Sequence, residues 1–269
     1  MTRRDDSSVV TSPDNPKVKL IASLAKRKYR ERHNLVLLEG ERLIRQALAF
    51  GASIRLVAVD PSWGGDPLVS SLKESGAEVF FAAPTLLKKL SDTQTPQGLV
   101  GVAAAVSEEA LDLERASWVL VADRIQDPGN LGALLRTAVA AGVDGVVCTE
   151  GTVDPKNPKA LRASAGAYFA ARLLTGIEGR KLGEALRAAG FRVAVADARG
   201  EEDAFAFDWT GKVALVIGNE GAGADPALGP TYRVRLPMPG GVESLNASIA
   251  GSILIYEALR RRCARRGGS

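Results

Sequence analysis

The stretch Leu236 to Glu257 reads LPMPGGVESLNASIAGSILIYE, and the rest of the chain is interpreted around it. Two prolines and two glycines between Leu236 and Val242 exclude regular structure there. Ser244, Asn246 and Ser248 are small and polar, which predicts the start of a helix at Ser244 to Asn246. That helix should pack on the core through an apolar face made of Ile249, Ile253, Leu254 and Tyr256. A strand-to-helix junction of this kind often holds a small ligand, although an ordinary capped helix fits the same pattern.

The composition predicts a globular protein that is compatible with a polyanionic partner. The chain has 269 residues, of which 46% are hydrophobic and 25% are charged, and its net charge is +4. Cys148 and Cys263 are its two cysteines, so we expect no disulfide framework, no CxxC metal site and a reducing cytoplasm. The sequence also lacks a long apolar run and a secretory signal, which predicts no membrane partner.

The first predicted domain covers residues 12–105 and has a βαβ-like alternation, typical of a small α/β domain. It opens with a single predicted helix from Asn15 to near Asn34, which carries one acid, Glu31, and many basic residues. These basic residues are Lys17, Lys19, Lys26, Arg27, Lys28, Arg30 and Arg32. Such an imbalance fits a phosphate-contacting surface, while a solvated helix face remains the alternative.

An acidic linker is predicted at 106–116, and a second domain at 117–264. In this second domain, apolar strands alternate with helices, which predicts a mostly parallel sheet covered on both faces. The predicted strands are Trp118–Ala122, Gly145–Cys148, Tyr168–Leu174, Arg192–Ala196, Val213–Ile217 and Tyr232–Leu236.

Three polar, glycine-rich loops follow strands of this second domain. They are Asp127–Gly132 (with Arg136 in the helix beyond), Gly218–Gly223, and the stretch that begins at Leu236. Loops at the carboxyl ends of parallel strands form the ligand crevice, so we expect one composite site. The dinucleotide fingerprint, the phosphate loop and the nucleophile elbow are all absent from the sequence. His33 is the one histidine and has no evident acid partner, which disfavours histidine-based catalysis.

The same three loops carry a family resemblance. DPGNLGALLRTA (127–138), LVIGNEGAG (215–223) and the opening stretch resemble the three ordered motifs of the SpoU/TrmH family. Members of that family are AdoMet-dependent RNA ribose 2′-O-methyltransferases of the SPOUT superfamily. The resemblance covers about 117–262, with a departure at Ala224, where many relatives carry a larger apolar residue. More weakly, Lys26–Arg45 resembles the RNA substrate-binding domain often joined to it, whose fold is like certain ribosomal proteins.

The resemblance implies an α/β SPOUT domain with a deep trefoil knot and an S-adenosyl-L-methionine site held chiefly by backbone groups. Carried over by motif, the cofactor contacts fall at Gly218, Leu236 and Leu245, with Ile217, Asn219, Met238 and Ser244 nearby. The resemblance also implies a homodimer in which the partner chain completes each active site.

The expected catalytic residues are Arg136, Asn130, Glu220, Ser244 and Asn246. A guanidinium stays protonated in proteins, so we expect Arg136 to hold a phosphate or a developing alkoxide rather than to act as a base. The plainer alternatives are that Asn130 is only a helix cap, Glu220 only a loop acid, and Arg136 only a surface charge.

The expected partner is a structured RNA, contacted by Lys26, Arg27, Lys28, Arg30 and Arg32. We favour 23S ribosomal RNA, with transfer RNA and a non-catalytic RNA-binding assembly factor as the alternatives. The arginine-rich C-terminal tail fits a solvated helix end, or a second contact with RNA.

Overall fold

The structure is a computed structural model that describes residues 9–91, 93, 95–107 and 111–266. It divides into two compact units. The first joins the described residues up to Val106 with Lys156–Phe169, and the second joins Ser107–Pro155 with the residues from Ala170 onward. Within the described ranges, every helix is too short or too polar to cross a membrane. Part of the predicted linker, 108–110, lies outside the described residues, and just beyond it Leu111 packs on the core of the second unit.

The first unit is built on a four-stranded mixed sheet of order β1-β4-β2-β3. Its strands are β1 (Leu35–Glu39), β2 (Ile54–Val59), β3 (Glu78–Phe81) and β4 (Leu99–Ala104). Strand β4 runs antiparallel to β1 and β2, whereas β2 and β3 are parallel. Its helices in this part of the chain are α1 (Pro16–Ser23), α2 (Arg27–His33), α3 (Glu41–Ala49), α4 (Pro67–Glu74) and α5 (Pro84–Leu90).

The prediction of a single helix from Asn15 to Asn34 is wrong, because a turn separates α1 from α2. Arg30 explains how the turn is stabilised. Its guanidinium donates hydrogen bonds to the carbonyls of Leu24 at 3.0 Å and Ala25 at 2.9 Å, and the residue is only 3% exposed. These carbonyls would otherwise be left unpaired at the helix end. The expectation that Arg30 is a surface cation is therefore wrong.

The second unit contains a seven-stranded parallel sheet in the order β7-β6-β5-β10-β8-β11-β9. The sequence predicted a mostly parallel sheet with six strands, and the short strand Glu202–Asp203 was not among them. Its strands are β5 (Trp118–Ala122), β6 (Gly145–Thr149), β7 (Leu173–Ile177), β8 (Arg192–Ala196), β9 (Glu202–Asp203), β10 (Val213–Ile217) and β11 (Tyr232–Arg235). Its helices are α6 (Pro128–Ala141), α8 (Gly179–Ala188) and α9 (Ala247–Arg266), whereas α7 (Pro158–Ser164) belongs to the first unit. Strand β7 begins later than the predicted Tyr168, because Ala167–Phe169 form a 3-10 turn.

Helix α9 packs on α6 through a different face from the one the sequence predicts. Leu254 is buried as expected, and Gly251 approaches α6 so closely that an added Cβ would lie 2.4 Å from Cδ2 of Leu134. Three of the residues predicted to pack on the core are exposed instead: Ile249 at 53%, Ile253 at 38% and Tyr256 at 52%. Gly251 faces the neighbouring helix because its lack of a side chain permits close approach, whereas these three large side chains point outward.

Candidate active site

The three predicted loops leave the same edge of the parallel sheet. Strands β5 and β10 are neighbours, and β8 separates β10 from β11. Because all these strands are parallel, their carboxyl ends lie together, and the loops 123–130, 218–225 and 236–246 follow directly from three of them. The sequence-based prediction that the loops form one site therefore agrees with the sheet order.

A chain of side-chain hydrogen bonds joins one residue from each loop. Nδ2 of Asn246 donates to Oδ1 of Asn130 at 3.0 Å, and Nδ2 of Asn130 donates to Oε1 of Glu220 at 2.7 Å. Asn130 is 9% exposed, while Glu220 and Asn246 are exposed. Of the five predicted catalytic residues, these three are brought into direct contact.

The start of α9 determines which side chain donates and which accepts in this chain of hydrogen bonds. Oδ1 of Asn246 accepts hydrogen bonds from the amides of Ser248 at 2.9 Å and Ile249 at 3.2 Å, so it caps the helix. The amide nitrogen of Asn246 is consequently the end that faces Asn130. Asn130 must then accept from Asn246 and donate to the carboxylate of Glu220. The predicted helix start at Ser244 is corrected, because Asn246 is the capping residue and α9 begins at Ala247.

Asn130 is not the cap of its own helix. Asp127 occupies that position, and its Oδ1 accepts the Asn130 amide at 2.9 Å. The alternative that Asn130 serves only as a helix cap is therefore excluded. Its side chain is held between two other loops of the site instead.

The loop 218–225 is tightly folded. Both polar ends of the Asn219 side chain are used within the site: Nδ2 donates to the carbonyl of Arg124 at 3.0 Å, and Oδ1 accepts the amides of Gly221 and Ala222. At Gly218, an added Cβ would lie 2.3 Å from the backbone nitrogen of Ala224, so only glycine fits this turn.

Arg136 differs from the other predicted catalytic residues. It lies on α6, is exposed, and forms no hydrogen bond or ion pair with any residue in the described part of the chain. The predicted cofactor contacts lie in these loops or directly before them: Ile217 and Leu236 are buried, Met238 is half-buried, and Ser244 and Leu245 are exposed. No group of three metal-ligating side chains occurs among the described residues.

Two buried polar residues at this edge of the sheet were not predicted from the sequence. Asp123 follows β5 directly and is 1% exposed, and Thr149 at the end of β6 is 3% exposed. Arg124 has a φ of 54°, in the left-handed region that few residues other than glycine adopt. One signal was available, since Asp123 follows directly on an apolar strand, at the carboxyl end where ligand sites form in parallel sheets.

The arginines of the basic C-terminal tail form hydrogen bonds and ion pairs within the protein. Arg260 and Arg261 hold the carboxylate of Glu257, and hydrogen bonds from Arg260 first and Arg261 second lower its pKa below the ordinary value. Arg262 donates to the carbonyls of Ser117 and Gly211, and its guanidinium lies over the ring of Trp118. These contacts favour the helix-end interpretation of the tail.

Comparison with known proteins gives two family matches. Residues 117–256 match the SpoU rRNA Methylase family, and residues 15–101 match the MRM3-like substrate binding domain. The 23S rRNA (guanosine(2553)-2′-O)-methyltransferase RlmP of Bacillus subtilis (strain 168) is 33% identical, over 92% of this chain and 97% of that protein. The 23S rRNA (uridine(2479)-2′-O)-methyltransferase of Streptomyces viridochromogenes is 33% identical, over 90% of this chain and 88% of that protein.

Solved structures give the same result over nearly the whole chain. The AdoMet-bound rRNA methyltransferase from Sinorhizobium meliloti is similar with a TM-score of 0.80 and 31% identity, over 94% of this chain and 97% of that one. The SpoU methyltransferase AviRb from Streptomyces viridochromogenes, in complex with AdoMet, is similar with a TM-score of 0.81 and 30% identity, over 93% of this chain and 99% of that one.

Proposed function

The chain belongs to the SpoU rRNA methylase family, and we propose that it transfers a methyl group from AdoMet to a ribose 2′-hydroxyl of 23S ribosomal RNA. The observation that carries this proposal is the hydrogen-bond chain from Asn246 through Asn130 to Glu220, which joins the three family motifs. The two bacterial relatives named above are both 23S rRNA 2′-O-methyltransferases, which favours ribosomal over transfer RNA.

The residues at the proposed cofactor site fit AdoMet. The backbone groups of Leu245, which is 38% exposed, form no hydrogen bond to another residue in the described ranges. The backbone groups of Leu236 form none either, and this residue is only 9% exposed. A buried backbone group without a partner favours a ligand with complementary polar atoms. Bound there, AdoMet supplies a methyl group already activated by its sulfonium. The turn at Gly218 has no room for a side chain, so backbone groups form that side of the site.

The side chains of this chain must align the ribose and compensate the charge that develops on its oxygen. The Arg136 guanidinium has no partner among the described residues, so it is available to hold the neighbouring phosphate and to stabilise a developing alkoxide. The Asn130–Glu220 pair is the fixed polar element of the site, and Ser244 and Asn246 border it. Alignment of this kind contributes several kcal/mol to catalysis, of the order of 7–11 kcal/mol at most.

We assign the RNA contacts of the first unit to the cations that the protein itself does not use. Lys26, Lys28 and Arg32 are exposed and form no ion pair with any residue in the described ranges. Arg27 pairs with Glu31 at 2.6 Å and contributes less. Phosphate contacts release counterions, so affinity for RNA should fall as salt rises.

We also propose that the chain forms a homodimer through the exposed face of α9. Val242, Leu245, Ile249, Ile253 and Tyr256 are all exposed, between 38% and 57%. Ile249, Ile253 and Tyr256 lie at helical spacing on one face, and a contiguous apolar patch of this kind marks an interaction surface. The trefoil knot and the cytoplasmic location, which the family and its ribosomal substrate imply, are part of the same proposal.

Two measurements test the proposed function. Calorimetry with AdoMet should give saturable binding, and radiolabelled AdoMet should label a 23S rRNA transcript in preference to transfer RNA. Arg136→Ala should abolish most of the transfer while folding and AdoMet binding persist. Arg180→Ala is the matched control, because Arg180 is an exposed arginine whose partner is the neighbouring Glu178. A folded protein that does not bind AdoMet would contradict the proposal and favour a non-catalytic RNA-binding factor. Preferential labelling of transfer RNA would identify transfer RNA, rather than 23S rRNA, as the substrate.

The dimer has its own test. Ile253→Asp places a charge in the middle of the apolar face and should convert the dimer to a monomer in analytical ultracentrifugation. Ser70→Asp, at an exposed position of the first unit, adds the same single negative charge and serves as the control. A wild-type chain that sediments as a monomer at micromolar concentration would contradict the proposal.

A further inference from the structure

We propose that Asp123 and Arg124 are positioning residues for methyl transfer, because they hold the loop 218–225 in the shape that brings Glu220 to Asn130. Both residues precede Asp127, where the first glycine-rich loop predicted from the sequence begins. The inference rests on the proposed function, since it names residues that act through Glu220 in that reaction. Three sets of contacts support it.

The first set fixes the far end of the loop. Oδ2 of Asp123 accepts the backbone amide of Asp225 at 2.7 Å, and Oδ1 accepts the hydroxyl of Thr149 at 2.7 Å. Asp123 is 1% exposed and Thr149 is 3% exposed. A buried carboxylate is tolerated only when it is well hydrogen-bonded, so losing either bond is unfavourable and the loop end stays in place.

The second set ties the body of the loop to Arg124. Its carbonyl accepts Nδ2 of Asn219 at 3.0 Å, and its Nη2 donates to the carbonyl of Gly223 at 3.1 Å. Its own amide donates to the hydroxyl of Thr149 at 3.1 Å. The left-handed conformation of Arg124 turns its carbonyl and its side chain toward the same loop. A non-glycine residue in this conformation persists only where its surroundings hold it.

The third set closes the loop on itself. The backbone groups of Asn219 and Gly223 exchange two hydrogen bonds, of 3.1 Å and 2.9 Å, and Oδ1 of Asn219 accepts the amides of Gly221 and Ala222. Glu220 lies within this closed turn and is exposed. Water competes for an exposed carboxylate, so the direction of Glu220 depends on how firmly the turn is anchored to Asp123 and Arg124.

Hydrogen–deuterium exchange on the cofactor-free protein tests the anchoring without using activity. Arg124→Gln removes the guanidinium that bonds Gly223, and we expect the amides of Gly221 to Gly223 to exchange at least about tenfold faster. Arg124→Lys keeps the charge with a single ammonium and should give an intermediate rate. Arg180→Gln should leave these amides unchanged. Equal exchange rates in all three variants and the wild type would overturn the proposal.

A double-mutant cycle then tests whether Arg124 acts through Glu220. Arg124→Gln alone should lower kcat about tenfold, with KM for RNA changed less than about twofold, since misplaced groups reduce turnover. In a Glu220→Gln background, the same change should cost less than about twofold, because the residue it positions is already disabled. A tenfold loss in both backgrounds would mean that Arg124 acts elsewhere, and would sink the assignment. If the wild type proves inactive, the exchange data still decide the anchoring, and the proposed function is what fails.

Discussion

Replacing Asn246 should separate the stability of the protein from its activity. The side chain has two distinct duties: Oδ1 caps α9 by accepting from Ser248 and Ile249, and Nδ2 donates to Asn130. Asn246→Asp keeps an oxygen for the cap but places a carboxylate against Oδ1 of Asn130. Asn246→Ala removes both contacts. Asn246→Asp should therefore be the more stable of the two variants, and Asn246→Ala the more active.

The magnitudes follow from the contacts. Loss of an Asn cap costs about 1 kcal/mol, whereas Asp caps about as well as Asn. For a chain of this size, 1 kcal/mol corresponds to a fall in Tm of roughly 2–4 °C, expected for Asn246→Ala only. In Asn246→Asp, Asn130 stands between two carboxylates and can donate fully to one. Losing a hydrogen bond to a charged group costs about 1.5–3 kcal/mol, which is about 10- to 150-fold in rate. Because Asn246 is exposed and water competes, we expect the lower end of this range.

Thermal unfolding and methyl transfer to a 23S rRNA transcript would be measured side by side. Asn246→Asp should unfold within about 1 °C of wild type and lose about tenfold in kcat, since its cap remains while its donor is lost. Asn246→Ala should unfold earlier and lose less activity, because water can hydrogen-bond the freed oxygen of Asn130. An aspartate variant that retains wild-type turnover would refute the polarity assigned to the Asn246–Asn130–Glu220 chain.

Three further outcomes are expected. Gly218→Ala should lower AdoMet affinity in calorimetry without unfolding the chain, because the new Cβ would collide with the backbone of its own loop. Arg30→Gln should lower the free energy of unfolding by about 1–3 kcal/mol, since it leaves the carbonyl of the fully buried Leu24 unpaired. Arg32→Gln should leave stability unchanged and instead reduce the salt dependence of RNA binding. Arg260 lowers the pKa of Glu257, so this carboxylate stabilises the fold above the ordinary glutamate pKa, and that contribution is lost as pH falls through the lowered value. Glu257→Gln should thus lower Tm at pH 7, and the difference from wild type should vanish on acidification; a constant difference would contradict it.

The sequence predicted the parts of the fold that depend on continuous apolar runs. Strands β5 and β10 were predicted to the residue, because strands buried on both faces of a parallel sheet read as unbroken apolar segments. The meeting of Asn130 with Glu220 followed from the rule that parallel strands share their carboxyl edge. Arg30 could not be placed in this way. Its burial depends on a break between two short helices, and a basic residue in a basic segment gives no sign of that.

Helix α9 shows why apolar spacing alone could not identify the core face. Its sequence offers large apolar residues on more than one side, and packing on α6 was decided by Gly251, the residue that adds least volume. Close approach at Gly251 buries Leu254 and leaves Ile253 outside. The same rigid helix begins at the residue after Asn246, which holds Asn130. A partner that covers the exposed face would therefore restrain the element whose first turn positions the polar chain of the site. Dimer formation and site geometry would then depend on one another through a single helix.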